Sequence, residues 1–318
     1  MSTPGGGTVR AEAAPPSSRA NSAQPRRKAP SAHLRSGRKR TCLSGRRRQP
    51  AVIARLRDAD TLVLDDGTVV SLTGALPPHG SDAPGVAGGT WPIASQSKRD
   101  IAGLVVGAQA EIIFKGRRDR YGRRRGHVLL RGSNGRQLWL QQELVARGLA
   151  RFDPDHLQST CATALSKAEA SARRSGKGVW SLPAYRIRPA KKTADLLKLQ
   201  GTFQLVKGRV VSVKNVRGRY FLNFDKDWRR DFTAAISKRQ MRYFRRAAID
   251  PKQFEGRNVI VRGWVERYGG PYIEIRHTHQ IELRDRTGSP PRSQQVDARA
   301  HKRNYPGRIG TTRVELRL

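Results

Sequence analysis

Cysteine is almost missing from this 318-residue chain, which has only Cys42 and Cys161. Two thiols, one in a segment that reads as a tail and one in a helical stretch, argue against a disulfide framework or a cysteine-rich metal centre. Histidine is equally thin. Seven are scattered along the chain with no HExxH-type pair, and His277 with His279 fits strand alternation better than a zinc site. No stretch approaches the ~18 apolar residues of a helical membrane span. The N-terminus lacks the apolar segment of about 7–15 residues that marks a signal peptide, so a cytoplasmic location is favoured over export. Acid is the most telling shortage. With 25 Asp and Glu against 63 Lys and Arg the formal charge is +38, an excess that repels itself unless a polyanion is near. Nucleic acid or an anionic membrane face is therefore a better partner than a small neutral substrate.

What is present falls into blocks. Residues 1–49 hold twelve Lys or Arg against the single acid Glu12 and almost no large apolar side chains, a composition that cannot offset chain entropy and predicts a disordered basic tail. Residues 286–318 repeat that composition and the same expectation. Between them, strands are predicted at 52–56, 61–64 and 68–73, with Asp66-Gly67 as the tight turn of the last pair. A Pro and Gly loop follows over 74–89. Ile101, Leu104 and Val105 mark a short helix stopping at Gly107. Residues 138–150 read as a strand end running into a helix closed by Gly148. Leu157, Cys161, Leu165, Ala168 and Ala172 form an apolar stripe at helical spacing. Short strands with packed helices describe a small α+β, mainly β, barrel.

The densest charge lies at 115–127. Arg117, Arg118, Arg120, Arg123, Arg124 and Arg125 surround Asp119 and Tyr121, between strand-like runs at 110–114 and 128–131, so the run reads as the tip of a β-hairpin. Such a tip offers guanidiniums to a phosphate backbone and a ring to a base or sugar. A solvated charged turn is the plain alternative.

Several stretches resemble the staphylococcal nuclease (thermonuclease-like) family. Asp58-Ala59-Asp60-Thr61 stands where the family has Asp-Gly-Asp-Thr. The run from Ser71 to His79 stands where it has a stretch like Arg-Leu-Ile-Gly-Ile-Asp-Ala-Pro-Glu. Asp119-Arg120-Tyr121-Gly122-Arg123, the helix at 144–150 and Val179-Trp180-Ser181 follow in the family's order. The resemblance implies an OB-type barrel with packed helices over 50–182, and phosphodiester cleavage by a calcium ion, a glutamate base and two arginines. Carried over by position, Asp60 retains one metal carboxylate and Arg123 one phosphate-binding arginine. Ser71 replaces the other arginine, Leu76 the second carboxylate and His79 the base. Losing a carboxylate removes both a ligand and a charge from a site for a hard cation, so no cofactor is expected, and calcium only if the site were active. His79 is open to two readings, a metal-free base or a loop residue without catalytic work.

After a basic linker at 183–199, residues 200–285 predict a second small OB-like barrel, with strands near 206–213, 219–224, 231–236, 258–266, 271–277 and 280–283 and a helix near 238–248. This part is similar to a module that often follows bacterial thermonuclease-like domains. Trp228 and Tyr268 are its candidates for exposed stacking rings, although aromatic residues in strands are more often core.

Three functions follow. The first is a non-sequence-specific nucleic-acid-binding protein with a degenerate nuclease site, a pseudoenzyme; no base-reading motif separates DNA from RNA. The second is an active phosphodiesterase or endonuclease with an altered site. The third is a charged scaffold for an acidic protein or a membrane surface.

Overall fold

A computed structural model describes residues 42–43, 46–82, 91–132, 135–227 and 230–284. Most of the two predicted tails, and Trp228, lie outside the described residues.

β1 (Gln49–Asp58), β2 (Thr61–Leu64) and β3 (Val69–Leu72) form an antiparallel meander. Irregular register at 53–55 and 56–58 bends β1, which lets one strand pair with two neighbours. At the Asp66-Gly67 turn, Gly67 takes φ 78° and the Asp66 carboxylate accepts from the Thr68 N–H at 2.8 Å. The expected loop at 74–89 is partly ordered instead: β4 (Ala75–Leu76) pairs with β8 (Arg151–Phe152), and a 3-10 turn follows over Gly80–Asp82. α1 (Pro92–Val105) starts at a proline and buries Ile101 and Val105. β5 (Gln109–Lys115) and β6 (Arg124–Arg131) make the hairpin, and β7 (Gln137–Trp139) extends it into α2 (Leu140–Ala146). β3 pairs in parallel with β6, closing the ring β1-β2-β3-β6-β5. α3 (Ser159–Arg174) covers it, burying Cys161, Leu165 and Ala172.

The cysteines correct the sequence reading. Cys42 is bonded to Cys161 across 119 residues, and neighbouring Leu43 is buried in the first core. Spacing gave no sign of this because the two cysteines stand 119 residues apart and meet only in the folded chain.

A second ring repeats the circuit. β10 (Phe203–Arg209) bends at Val210 and Val211 into β11 (Ser212–Val216), followed by β12 (Arg219–Asn223), β13 (Thr233–Ile236) and α5 (Met241–Arg246). β14 (Asn258–Trp264) bends at Val265 into β15 (Glu266–Tyr268), then β16 (Gly270–Glu274). β10 pairs with β14, β15 with β16, and β13 runs parallel to β16. Both barrels therefore share one strand order and one parallel closure, each with a helix between its third and fourth strands, the OB arrangement. β17 (Ile281–Leu283) is added beside β14. His277 does not alternate in a strand; it caps the 3-10 turn Thr278–Gln280, its ring accepting from the His279 N–H at 3.1 Å.

The barrels pack as one compact unit. Leu76 from the first meets Phe203, Leu205 and Ile260 of the second, with Trp180 and Ile187 alongside. The connecting stretch at 183–199 is built from a 3-10 turn (Pro183–Tyr185), β9 (Arg188–Pro189) and α4 (Thr193–Leu197), and buries Tyr185, Ala190 and Leu196. Two buried ion pairs lie in the same region: Arg262 Nη1 is 2.6 Å from Glu169 Oε2, and Arg151 Nη2 is 2.7 Å from Asp82 Oδ2.

Candidate nucleic-acid interface and candidate nuclease-like site

Asp60 ends the turn between β1 and β2, where its carbonyl accepts from the Leu72 N–H at 2.8 Å and its carboxylate from the Thr61 hydroxyl at 2.9 Å. His79 comes from the segment after β4, and its Nε2 lies 3.6 Å from Asp60 Oδ2. Burial would raise the Asp60 carboxyl, but His79 as donor and charge, with Thr61 and Arg123, holds it below the ordinary carboxylate range. The same pairing raises the His79 imidazole above its usual value, against burial and the charge of Arg151. His79 is thus the partner of Asp60, and the pairing stabilises its protonated form relative to a free imidazole.

A cluster that sequence reasoning missed holds His79 in place. The Asp82 carboxylate accepts from the His79 N–H at 3.2 Å, from Arg151 Nη2 at 2.7 Å and from the Tyr185 hydroxyl at 3.0 Å. Arg151 Nη1 donates to the Phe203 carbonyl of β10 at 2.6 Å, which ties this loop to the second barrel. No periodicity or spacing pointed to Asp82, Arg151 or Tyr185, since they are distant in sequence and none stands in a recognisable motif.

The hairpin tip is organised by its one acid. Asp119 accepts from the N–H groups of Tyr121 and Arg123 and from Arg123 Nε, each at 2.9 Å. Gly122 takes φ 75°, a left-handed turn residue at no Cβ cost. Tyr121 is 60% exposed, with the Arg120 and Arg123 guanidiniums 4.7 and 5.0 Å from its ring centroid. Arg117, Arg118, Arg120 and Arg125 are exposed, while Arg123 and Arg124 are half-buried. Arg118 donates to the Gly122 carbonyl at 3.0 Å, and Arg124 lies 3.5 Å from the Phe114 ring centroid. Lys115 is not part of the tip: its Nζ donates to the His156 carbonyl at 3.1 Å. Ser71, where the resemblance calls for an arginine, pairs in register with Arg125, so a guanidinium is present one strand away.

A resident calcium ion does not fit this site. A hard cation needs several oxygen ligands, but Asp60 faces an imidazole, and Leu76 is 9% exposed within the apolar contact between the barrels. Among the described residues no group of three or more His, Cys, Asp or Glu could hold a metal. No helix among them is long and apolar enough to cross a membrane.

A closed five-stranded barrel with helices packed on it, a basic hairpin between its last two strands and Asp60 at its first turn define a nuclease-type OB domain. Residues 81–182 match the family model described as staphylococcal nuclease homologue, and the chain carries a domain of that family. The match begins after Asp60, Ser71, Leu76 and His79 and does not cover those positions. No curated protein matches the chain.

Proposed function

We propose that the protein binds nucleic acid through the hairpin tip of its nuclease-like barrel and has lost calcium-dependent cleavage. One observation carries the reading: Arg117, Arg118, Arg120 and Arg125 stand exposed around Tyr121, while Asp60 faces an imidazole and Leu76 is given over to packing. Guanidiniums and a ring bind phosphate and base without chemistry. Cleavage would also need stabilisation of charge growing on the phosphoryl oxygens, for which only Arg123 and neighbouring cations remain.

The test is binding of labelled single- and double-stranded oligonucleotides across a salt series. Neutralising about four phosphates gives a log-log slope near −3.6 on duplex DNA. Replacing Arg117, Arg120 and Arg125 by alanine is expected to flatten that slope by about 2.7. Binding that hardly changes between about 50 and 200 mM salt overturns the reading.

A second reading, an altered phosphodiesterase, is favoured by the Asp60 and His79 pair beside Arg123. It requires cleavage of single-stranded DNA or RNA that survives chelation and is abolished by His79→Ala and by Arg123→Ala. Calcium-stimulated cleavage lost in Arg123→Ala overturns the first reading outright.

A further inference from the structure

The second barrel has a groove of its own. Residues opposed in a β ladder share a face, and the registers of β11, β12, β13, β16 and β15 sort this sheet into two. Val213, Leu222, Ala234, Ile236 and Ile273 fall on one face, and most are in the second core. The other face carries Lys214, Val216, Phe221, Asn223, Thr233 and Tyr268. These residues, with Gly269, line an open, mainly apolar groove of about 680 Å³.

Its features do not match a sealed core. Tyr268 is 65% exposed and Val216 53%, at opposite sides of the groove. The Tyr268 ring centroid is 5.8 Å from that of Tyr272, and the Arg219 guanidinium lies between the Phe221 and Tyr272 rings at 5.2 and 5.8 Å. Glu274 is occupied by Arg219 at 2.9 Å. Asn223, only 4% exposed, gives its amide nitrogen to Ser212 Oγ at 3.2 Å, which leaves its carbonyl oxygen to accept a hydrogen bond. The rim at Lys214 and the Arg217-Gly218 turn is cationic, and Glu266 stands at the far edge. Both turn residues have positive φ, 50° and 85°, a type I′ geometry that fixes where the basic tip stands.

We infer that this groove takes unpaired bases of a single-stranded nucleic acid, with Tyr268 and Phe221 as stacking surfaces, Asn223 as an acceptor for a base edge and Lys214 with Arg217 on the phosphates. Apolar ring faces inside a cationic rim match a strand whose bases are apolar on their faces and whose backbone is anionic. Position adds a second argument. The groove lies between the turn joining the first two strands of its barrel and the turn joining the last two. In the first barrel those two turns carry Asp60 and the basic hairpin. A duplex keeps its base faces stacked internally, so the groove selects for single strands, which the arginine-rich hairpin by itself does not.

The inference rests on nucleic-acid binding by the chain but concerns a different barrel, so the two fail separately. The experiment titrates the full chain with fluorescein-labelled oligothymidylate and with a duplex of equal length across a salt series. A stacking ring carries no charge. Tyr268→Ala is therefore expected to weaken oligothymidylate binding about five-fold or more at every salt concentration, in parallel with wild type, and to leave the duplex unchanged. Tyr268→Phe retains the ring and is expected to bind as wild type. Circular dichroism checks that the variant is folded, which the exposure of Tyr268 favours. Equal losses on single strand and duplex, or no loss on either while hairpin variants still weaken both, overturn the inference and leave the hairpin reading intact. No binding of either probe at low salt removes both.

Discussion

Arg262→Met is expected to weaken the joined barrels out of proportion to its size. The Arg262 side chain is 2% exposed and that of Glu169 fully buried. Arg262 Nη1 donates to Glu169 Oε2 at 2.6 Å and to the Phe152 carbonyl at 3.1 Å. Removing one partner of a buried ion pair leaves an uncompensated charge, worth about 3–5 kcal/mol. Glu169 would retain the Phe152 N–H at 2.8 Å and Arg173 Nη1 at 3.7 Å, which places the loss near the lower bound, about 3 kcal/mol. Adding Glu169→Gln removes the stranded charge while its amide oxygen can still accept from Phe152, so the double variant recovers stability. A coupling of about 1.5 kcal/mol or more is expected, well above the ~0.5 kcal/mol within which independent sites add. Denaturant unfolding of the wild type, both single variants and the double variant, followed by fluorescence and circular dichroism, measures it. Additive effects, or a loss under about 1 kcal/mol for Arg262→Met, would refute the claim that this pair ties the barrels together.

Leu76→Asp puts a carboxylate where the resemblance calls for one, but its side chain would enter the contact with Phe203, Leu205 and Ile260; a loss of about 2–5 kcal/mol without calcium binding by calorimetry is expected. His79 titrates above its ordinary value because of Asp60, so Asp60→Asn should lower its NMR-measured pKa. The stability this pair contributes is full between the unfolded carboxyl and histidine values, about 3.9 and 6.5, and is lost as pH rises through the folded His79 value or falls through the folded Asp60 value, which urea unfolding across those windows measures. The bond between Cys42 and Cys161 closes 119 residues; Cys42→Ser is expected to cost about 2–5 kcal/mol, and unreduced protein in denaturant should present no thiol to a colorimetric reagent.

Much of the first barrel was legible because its signals are local. Asp66-Gly67 needs only a left-handed turn, the stripe from Leu157 to Ala172 only helical spacing, and the run at 115–127 only its own charge density. His79 shows where that legibility ends. The resemblance sets it where the family has a glutamate, and whether it faces Asp60 or solvent depends on Asp82, Arg151 and Tyr185, which reach it from separate elements.

The sequence by itself determined two small barrels, a large net positive charge and a basic hairpin, since alternation, turn residues and net charge act over a few neighbours or over the whole chain at once. The tertiary structure alone decided the Cys42 to Cys161 bond, the burial of Leu76 between the barrels and the groove beside Tyr268. Each depends on bringing residues distant in the chain within a few ångströms, and no pattern of spacing along one strand or helix encodes such a meeting.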